Sequence, residues 1–136
     1  FYSVCAYPAG IAADRFSGRV LLICGLAVLV IADCILALNK SAWITLFGAA
    51  FWGLHMALTQ GLFAKLIAET APVELRGSAF GMFHLVSGLA LFLASLIAGS
   101  LWTNYGASIP FIAGGSCALL AALGLVLYHP KRNAIQ

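Results

Sequence analysis

The chain has 136 residues, of which 63% are hydrophobic and only 8% charged, with a formal net charge of +3. Seven basic and four acidic side chains are too few to clothe a water-soluble fold of this length, which carries roughly a quarter charged residues. The basic residues are scattered between apolar runs and do not gather on one face, which argues against nucleic acid and leaves the lipid bilayer as the solvent.

A transmembrane helix needs on the order of 20 apolar residues. Apolar runs bounded by charged or turn-forming residues give, in chain order, a truncated span at 1–12 and full spans at 20–38, 43–67, 78–101 and 109–128. The expected fold is all-α: a polytopic bundle of four full spans and the end of a fifth, forming one domain over 1–136. The first run is apolar from Phe1, with no basic stretch before it and no clean A-x-A cleavage pattern. It reads as the end of a cut helix, not a signal peptide, so the chain is expected to be part of a longer protein.

Short connections make successive helices antiparallel and send alternate loops to opposite sides. Arg15, Arg19, Arg76, Lys131 and Arg132 then share one side, with Lys65 close to it, and only Lys40 falls on the other. The positive-inside rule places the Arg-bearing loops and the C-terminus in the cytoplasm, in a multi-pass protein of the cell inner (plasma) membrane. Trp43, Trp102 and Tyr105 are expected at the outer interface and Tyr128 at the inner one. Small residues recur at four-residue spacing in Gly77 and Gly81, Ala94 and Ala98, and Gly114, Ala118 and Ala122, where helices are expected to touch, either as static packing or as sliding surfaces. Cys5, Cys24, Cys34 and Cys117 lie inside apolar runs without paired spacing and read as small hydrophobes, so no metal and no cofactor is expected.

Ionisable and polar groups at membrane depth are costly and need a reason. In the third run His55 and Thr59 lie one turn apart, with Gln60 on an adjacent face and Trp52 one turn earlier. Two readings stay open: that face lines a water-filled cavity and holds a polar group of a substrate, or it hydrogen-bonds to a neighbouring helix as structural glue. Asp33, in the second run, shares a face with Leu22, Leu26, Leu29 and Ala37. It is a candidate proton-coupling carboxylate, with a structural or interfacial role as the alternative. His84 in the fourth run either faces a cavity or supports a packing contact.

Two loops carry a family resemblance. Gly10-Ile11-Ala12-Ala13-Asp14-Arg15-Phe16-Ser17-Gly18-Arg19 resembles the loop signature G-x-x-x-D-R-x-G-R-[RK] of major facilitator superfamily transporters. Gly10, Asp14, Arg15 and Arg19 fall on pattern, while Ser17 and Gly18 depart from it, as in the degenerate copy found in the second half of such proteins. The stretch from Ala68 to Gly81 is similar to the turn between the tenth and eleventh helices of the family. The resemblance covers essentially the whole chain and points to the C-terminal part of a drug-efflux-like branch.

That resemblance implies a secondary active transporter working by alternating access, proton-coupled, with a small organic solute or drug as its small-molecule substrate. His55, Thr59, Gln60 and His84 become substrate-pathway residues. Gly10, Asp14, Arg15, Arg19, Glu69, Arg76 and Gly77 become cytoplasmic loop and gating residues. In this reading Gly10 permits close backbone approach, and Asp14 accepts hydrogen bonds from the amides at a helix N-terminus, as a latch to the missing N-terminal half. The plainer alternative is that Asp14 and Arg15 pin the loop to the interface. Pro72 is expected to stop the third helix, and Glu74 to lie near the start of the fourth. The rival functions are a non-transporting helical membrane subunit or scaffold, and an intramembrane enzyme. The latter is disfavoured because Asp33, His55 and His84 sit on three separate helices without H-E-x-x-H or G-x-S-x-G spacing.

Overall fold

In the computed structural model the chain is a bundle of five α-helices, with residues 2–38 and 41–127 described. They are α1 (Tyr2–Arg15), α2 (Gly18–Ala37), α3 (Ala42–Thr70), α4 (Arg76–Tyr105) and α5 (Ser108–Leu127). Helices α2, α3, α4 (with the short turn before it) and α5 are each long and apolar enough to cross a membrane. Among the described residues there is no strand, so the expected all-α class holds. Lys40, Tyr128, Lys131 and Arg132, which entered the topology argument, lie outside the described residues.

The helix ends follow local chemistry. Ser17 caps α2, its hydroxyl accepting from the Val20 amide. α3 runs three residues beyond the expected end at Ile67, to Thr70, and stops before Pro72, which opens a single 3-10 turn at Val73–Leu75. α4 continues past Leu101 to Tyr105, where Gly106 turns the chain at φ +97°, a conformation suited to a residue without Cβ.

α2 occupies the middle, packed against α3 on one side and α5 on the other, while α1 lies along α3. The buried residues are mostly small: Ala9, Ala32, Ala57 and Ala118 beside Leu21 and Leu62. This is how helices associate in lipid, where apolar area alone gives no drive and close backbone approach supplies the packing. At Gly25 a Cβ would fall 2.6 Å from Thr59 Cγ2, and at Gly48 one would fall 2.7 Å from Leu36, so α2 and α3 meet nearly backbone to backbone. α4 is different. It touches α3 and α5 but buries no residue, and its outer faces present Leu85, Leu89, Phe92, Leu96 and Ile97, the exterior of a helix made for an apolar surround.

The small-residue rows are used unevenly. Gly114 and Ala118 face α2 at close range, but a Cβ added at Gly77 or Gly81 would meet nothing within 4 Å among the described residues. A Cβ at Gly10 would likewise meet nothing within 4 Å among the described residues, and α1 meets α3 through Ala9, which is buried one position away.

Candidate functional site

Facing stripes of α3 and α4 enclose a groove of about 400 Å³. α3 contributes Thr59, Gln60, Phe63 and Ala64, and α4 contributes Phe80, Phe83, His84 and Ser87, each set lying on one helical face. Phe63 and Phe83 meet across the joint with ring centroids 5.9 Å apart. The His84 ring lies edge-on to Phe83 at 5.5 Å and stacks on Phe80 at 6.5 Å. The result is an aromatic-walled cleft carrying a few neutral hydrogen-bonding groups, of the size and composition that suit a small organic molecule. Three of the expected substrate-pathway residues, Thr59, Gln60 and His84, therefore converge.

His55 does not join them. It turns toward α2, where Nδ1 lies 2.8 Å from the Gly25 carbonyl oxygen. A carbonyl only accepts, so Nδ1 carries the hydrogen in this bond. Thr59 back-bonds at 2.9 Å to the His55 carbonyl, which holds its hydroxyl against its own helix and turns its methyl onto Gly25. Of the two readings left open by the sequence, this geometry makes His55 a tie between α2 and α3. The hydroxyl of Tyr2, on α1, reaches Gln60 Oε1 at 3.5 Å, a long contact on the exposed side.

Asp33 lies apart from this groove, in the α2–α5 interface. It is 5% exposed, with Oδ2 3.1 Å from where a Cβ on Gly114 would stand. Its neighbours are therefore the bare backbone of α5 as well as the leucine face read from the sequence.

The loop residues gather at one end of the bundle. Asp14 Oδ1 accepts from Lys65 Nζ at 3.0 Å, and the same ammonium donates to the Ala13 carbonyl at 3.0 Å and lies 3.9 Å from Glu69. Asp14 was expected to reach helix amides outside this chain. Within the structure its Oδ1 is instead engaged by α3, because Lys65 sits level with the end of α1 and serves both its carboxylate and its last-turn carbonyl. Arg19 reaches α5: Nε and Nη2 donate to the Leu125 carbonyl at 3.2 and 2.8 Å, and Nη2 to that of Val126 at 3.0 Å. A guanidinium thus satisfies the orphan carbonyls at the negative end of α5 and ties it to the start of α2. The sequence marked Arg19 as a signature cation of the cytoplasmic loop and a gating candidate; a helix C-terminus wanting a donor is legible, but not which cation supplies it. Arg15, Arg76 and Gly77 are exposed at this same end. Among the described residues no cluster of His, Cys, Asp and Glu is placed to hold a metal.

The sequence model of the Major Facilitator Superfamily matches residues 1–135. The chain belongs to the Major Facilitator Superfamily. It is 30% identical over 128 residues to the uncharacterized MFS-type transporter MJ1317 of Methanocaldococcus jannaschii, covering 93% of this chain and 31% of that protein. It is 29% identical over 116 residues to the uncharacterized MFS-type transporter YwfA of Bacillus subtilis, covering 85% of this chain and 27% of that one. The matched region therefore spans about three-tenths of the length of these relatives. No solved structure matches. Family and helices together make this a multi-pass membrane protein.

Proposed function

We propose that this chain is the C-terminal part of a secondary active transporter that moves a small organic solute by alternating access, and that the groove between α3 and α4 carries the solute. The observation that carries this reading is the convergence of Thr59, Gln60 and His84, with Ser87, on one aromatic-walled cleft of about 400 Å³. Hydrogen-bonding groups on a membrane helix are retained where a cavity uses them, and three aromatic rings beside them favour a solute with a flat apolar body. The relatives' description as MFS-type transporters agrees with movement of a solute.

The rest of the assignment belongs to the same proposal. The end of the bundle holding Arg15, Arg19, Lys65 and Arg76 faces the cytoplasm of the cell's plasma membrane, as their charge requires, and the C-terminus with it. There Asp14, Glu69 and Lys65 form the ionic end of the α1–α3 pair, which meets the other half of the transporter, while Gly10, Arg76 and Gly77 stay open to that partner. A proton gradient drives the movement, with Asp33 as the coupling carboxylate.

The test is flux in proteoliposomes holding the full-length transporter, with chloramphenicol and ethidium as probe solutes and an imposed proton gradient. Gradient-dependent flux of a probe is expected. Q60A and H84A should each raise its KM about threefold to tenfold, which is the loss of one modest hydrogen bond or ring contact. Flux of either probe that is unchanged by both substitutions would remove the groove from the pathway. Probe movement equal to that of empty liposomes would refute transport of this solute class.

A further inference from the structure

Asp33 is the one charged side chain among the described residues that is buried, at 5% exposure. No hydrogen-bond donor is paired with its carboxylate among them. The hydroxyl of Ser116, on the facing helix and lining the same cavity as Asp33, already donates to the Ile112 carbonyl at 2.8 Å. A carboxylate acting as interhelical glue would show a donor across the interface. Here the opposing surface is the paired glycines Gly114 and Gly115, which hollow α5 so that Asp33 fits: a Cβ on either would stand 3.1 Å from Oδ2 or 3.3 Å from the Asp33 Cβ.

Space opens on both sides of that carboxylate. One cavity of about 320 Å³ lies between α2 and α5, walled by Val30, Phe111, Ile112 and Leu119; a second of about 390 Å³ runs toward Trp52, Ala98 and Pro110. Asp33 and Phe111 line both, and among the described residues neither wall contains a Lys, Arg or His. Neither cavity shares a residue with the α3–α4 groove.

We propose that the cavities beside Asp33 form a second ligand site, one that takes a hydrophobic organic monocation such as a tertiary or quaternary amine. A negative charge held in an apolar wall is stabilised by a cation that itself loses little on leaving water, which selects a charge wrapped in hydrocarbon. Phe111 and Trp52 supply ring faces for such a cation. Calcium or magnesium does not fit, because those ions need about six oxygen ligands and these walls offer one carboxylate and one occupied hydroxyl. Anions are repelled, and a neutral solute of the same shape leaves the carboxylate uncompensated. The site goes beyond the transport reading and stands without it, since it concerns binding alone.

The experiment uses the full-length protein in lipid nanodiscs, with empty nanodiscs as the blank and tritiated benzyltrimethylammonium as the probe in equilibrium dialysis. The competitor is neopentylbenzene, which has the same shape without the charge. Saturable binding is expected, displaced by unlabelled cation and not by neopentylbenzene. D33N should weaken it at least tenfold, D33E should retain most of it, and G115V, which fills the hollow while keeping the carboxylate, should weaken it as well. Absence of saturable binding, equal displacement by the neutral isostere, or unaltered affinity in D33N would overturn the proposal. The first two readings need no variant, so they hold whether or not D33N folds. None of these measurements involves a gradient or flux, so failure here and failure of the transport reading are separate results.

Discussion

Adding one methyl group at Gly25 should unlock the central helix pair. The new Cβ would stand 2.6 Å from Thr59 Cγ2, about 0.9 Å inside the closest comfortable carbon–carbon separation of roughly 3.5 Å. Thr59 has little room to yield. It is 6% exposed, β-branched, and held by its hydroxyl to the His55 carbonyl at 2.9 Å. The helices must therefore separate, which also stretches the 2.8 Å bond from His55 to the Gly25 carbonyl. Overpacking of this kind costs about 1–3 kcal/mol, to which a weakened interhelical hydrogen bond in a membrane protein adds on the order of 0.6 kcal/mol. G25A is thus expected to lose about 2–3 kcal/mol in reversible unfolding of the detergent-solubilised protein, followed by tryptophan fluorescence. The second arm fixes the cause. T59S deletes the offending methyl and keeps the hydroxyl, so G25A/T59S should recover at least 1 kcal/mol of the loss as a coupling energy. A G25A protein within about 0.5 kcal/mol of the parent, or strictly additive variants, would show that α2 and α3 do not meet as described.

Three further joints are read by substitution in the same unfolding measurement. R19Q removes the clamp on the Leu125 and Val126 carbonyls and should cost about 1–2 kcal/mol, with R19K recovering only part because a lysine has no second nitrogen to replace the Nε bond to Leu125 and lacks the rigid fork that aims Nη2; R19K equal to the parent would assign Arg19 to charge alone. D14N should change stability by less than about 1 kcal/mol, since the Asp14 side chain is 77% exposed in its pair with Lys65, and what effect there is should fade in 1 M salt. F63L and F83L should couple by about 0.5–1.5 kcal/mol in a double-mutant cycle, the worth of one aromatic pair, and additivity would mean that the rings do not bridge α3 and α4.

The sequence disclosed the features that depend on the chain's own composition. Apolar length marked the helices, and Pro72 ended the third because a residue without an amide hydrogen stops the ladder there. The sharing of one end by Asp14, Arg19, Lys65 and Arg76 follows from counting spans, since each helix reverses the direction of the last. What stayed hidden depends on helix rotation and choice of neighbour. His55 and Gln60 are five positions apart on α3, far enough around the helix for one to face α2 and the other α4, and no periodicity separates them when every face of a lipid-embedded helix is apolar. The glycines were similarly silent. Gly10, Gly25, Gly77 and Gly114 look alike in sequence, yet Gly25 and Gly114 carry close contacts while Gly10 and Gly77 stand in open space.

The bundle divides mechanically along a line that passes through the groove. α2, α3 and α5 interlock through missing Cβ atoms, through the His55 bond and through the Arg19 clamp, so relative movement among them breaks several short contacts at once. α4 buries nothing and meets α3 mainly through aromatic rings, which slide and tilt at small cost. A solute that bonds Gln60 on one wall and His84 on the other would add a tie where the protein itself supplies few. Its binding energy would therefore act on the joint between α3 and α4, with the interlocked trio as the frame on one side of it. Asp33 lies inside that frame, between α2 and α5, so a charge arriving there acts on a different joint from a solute in the groove.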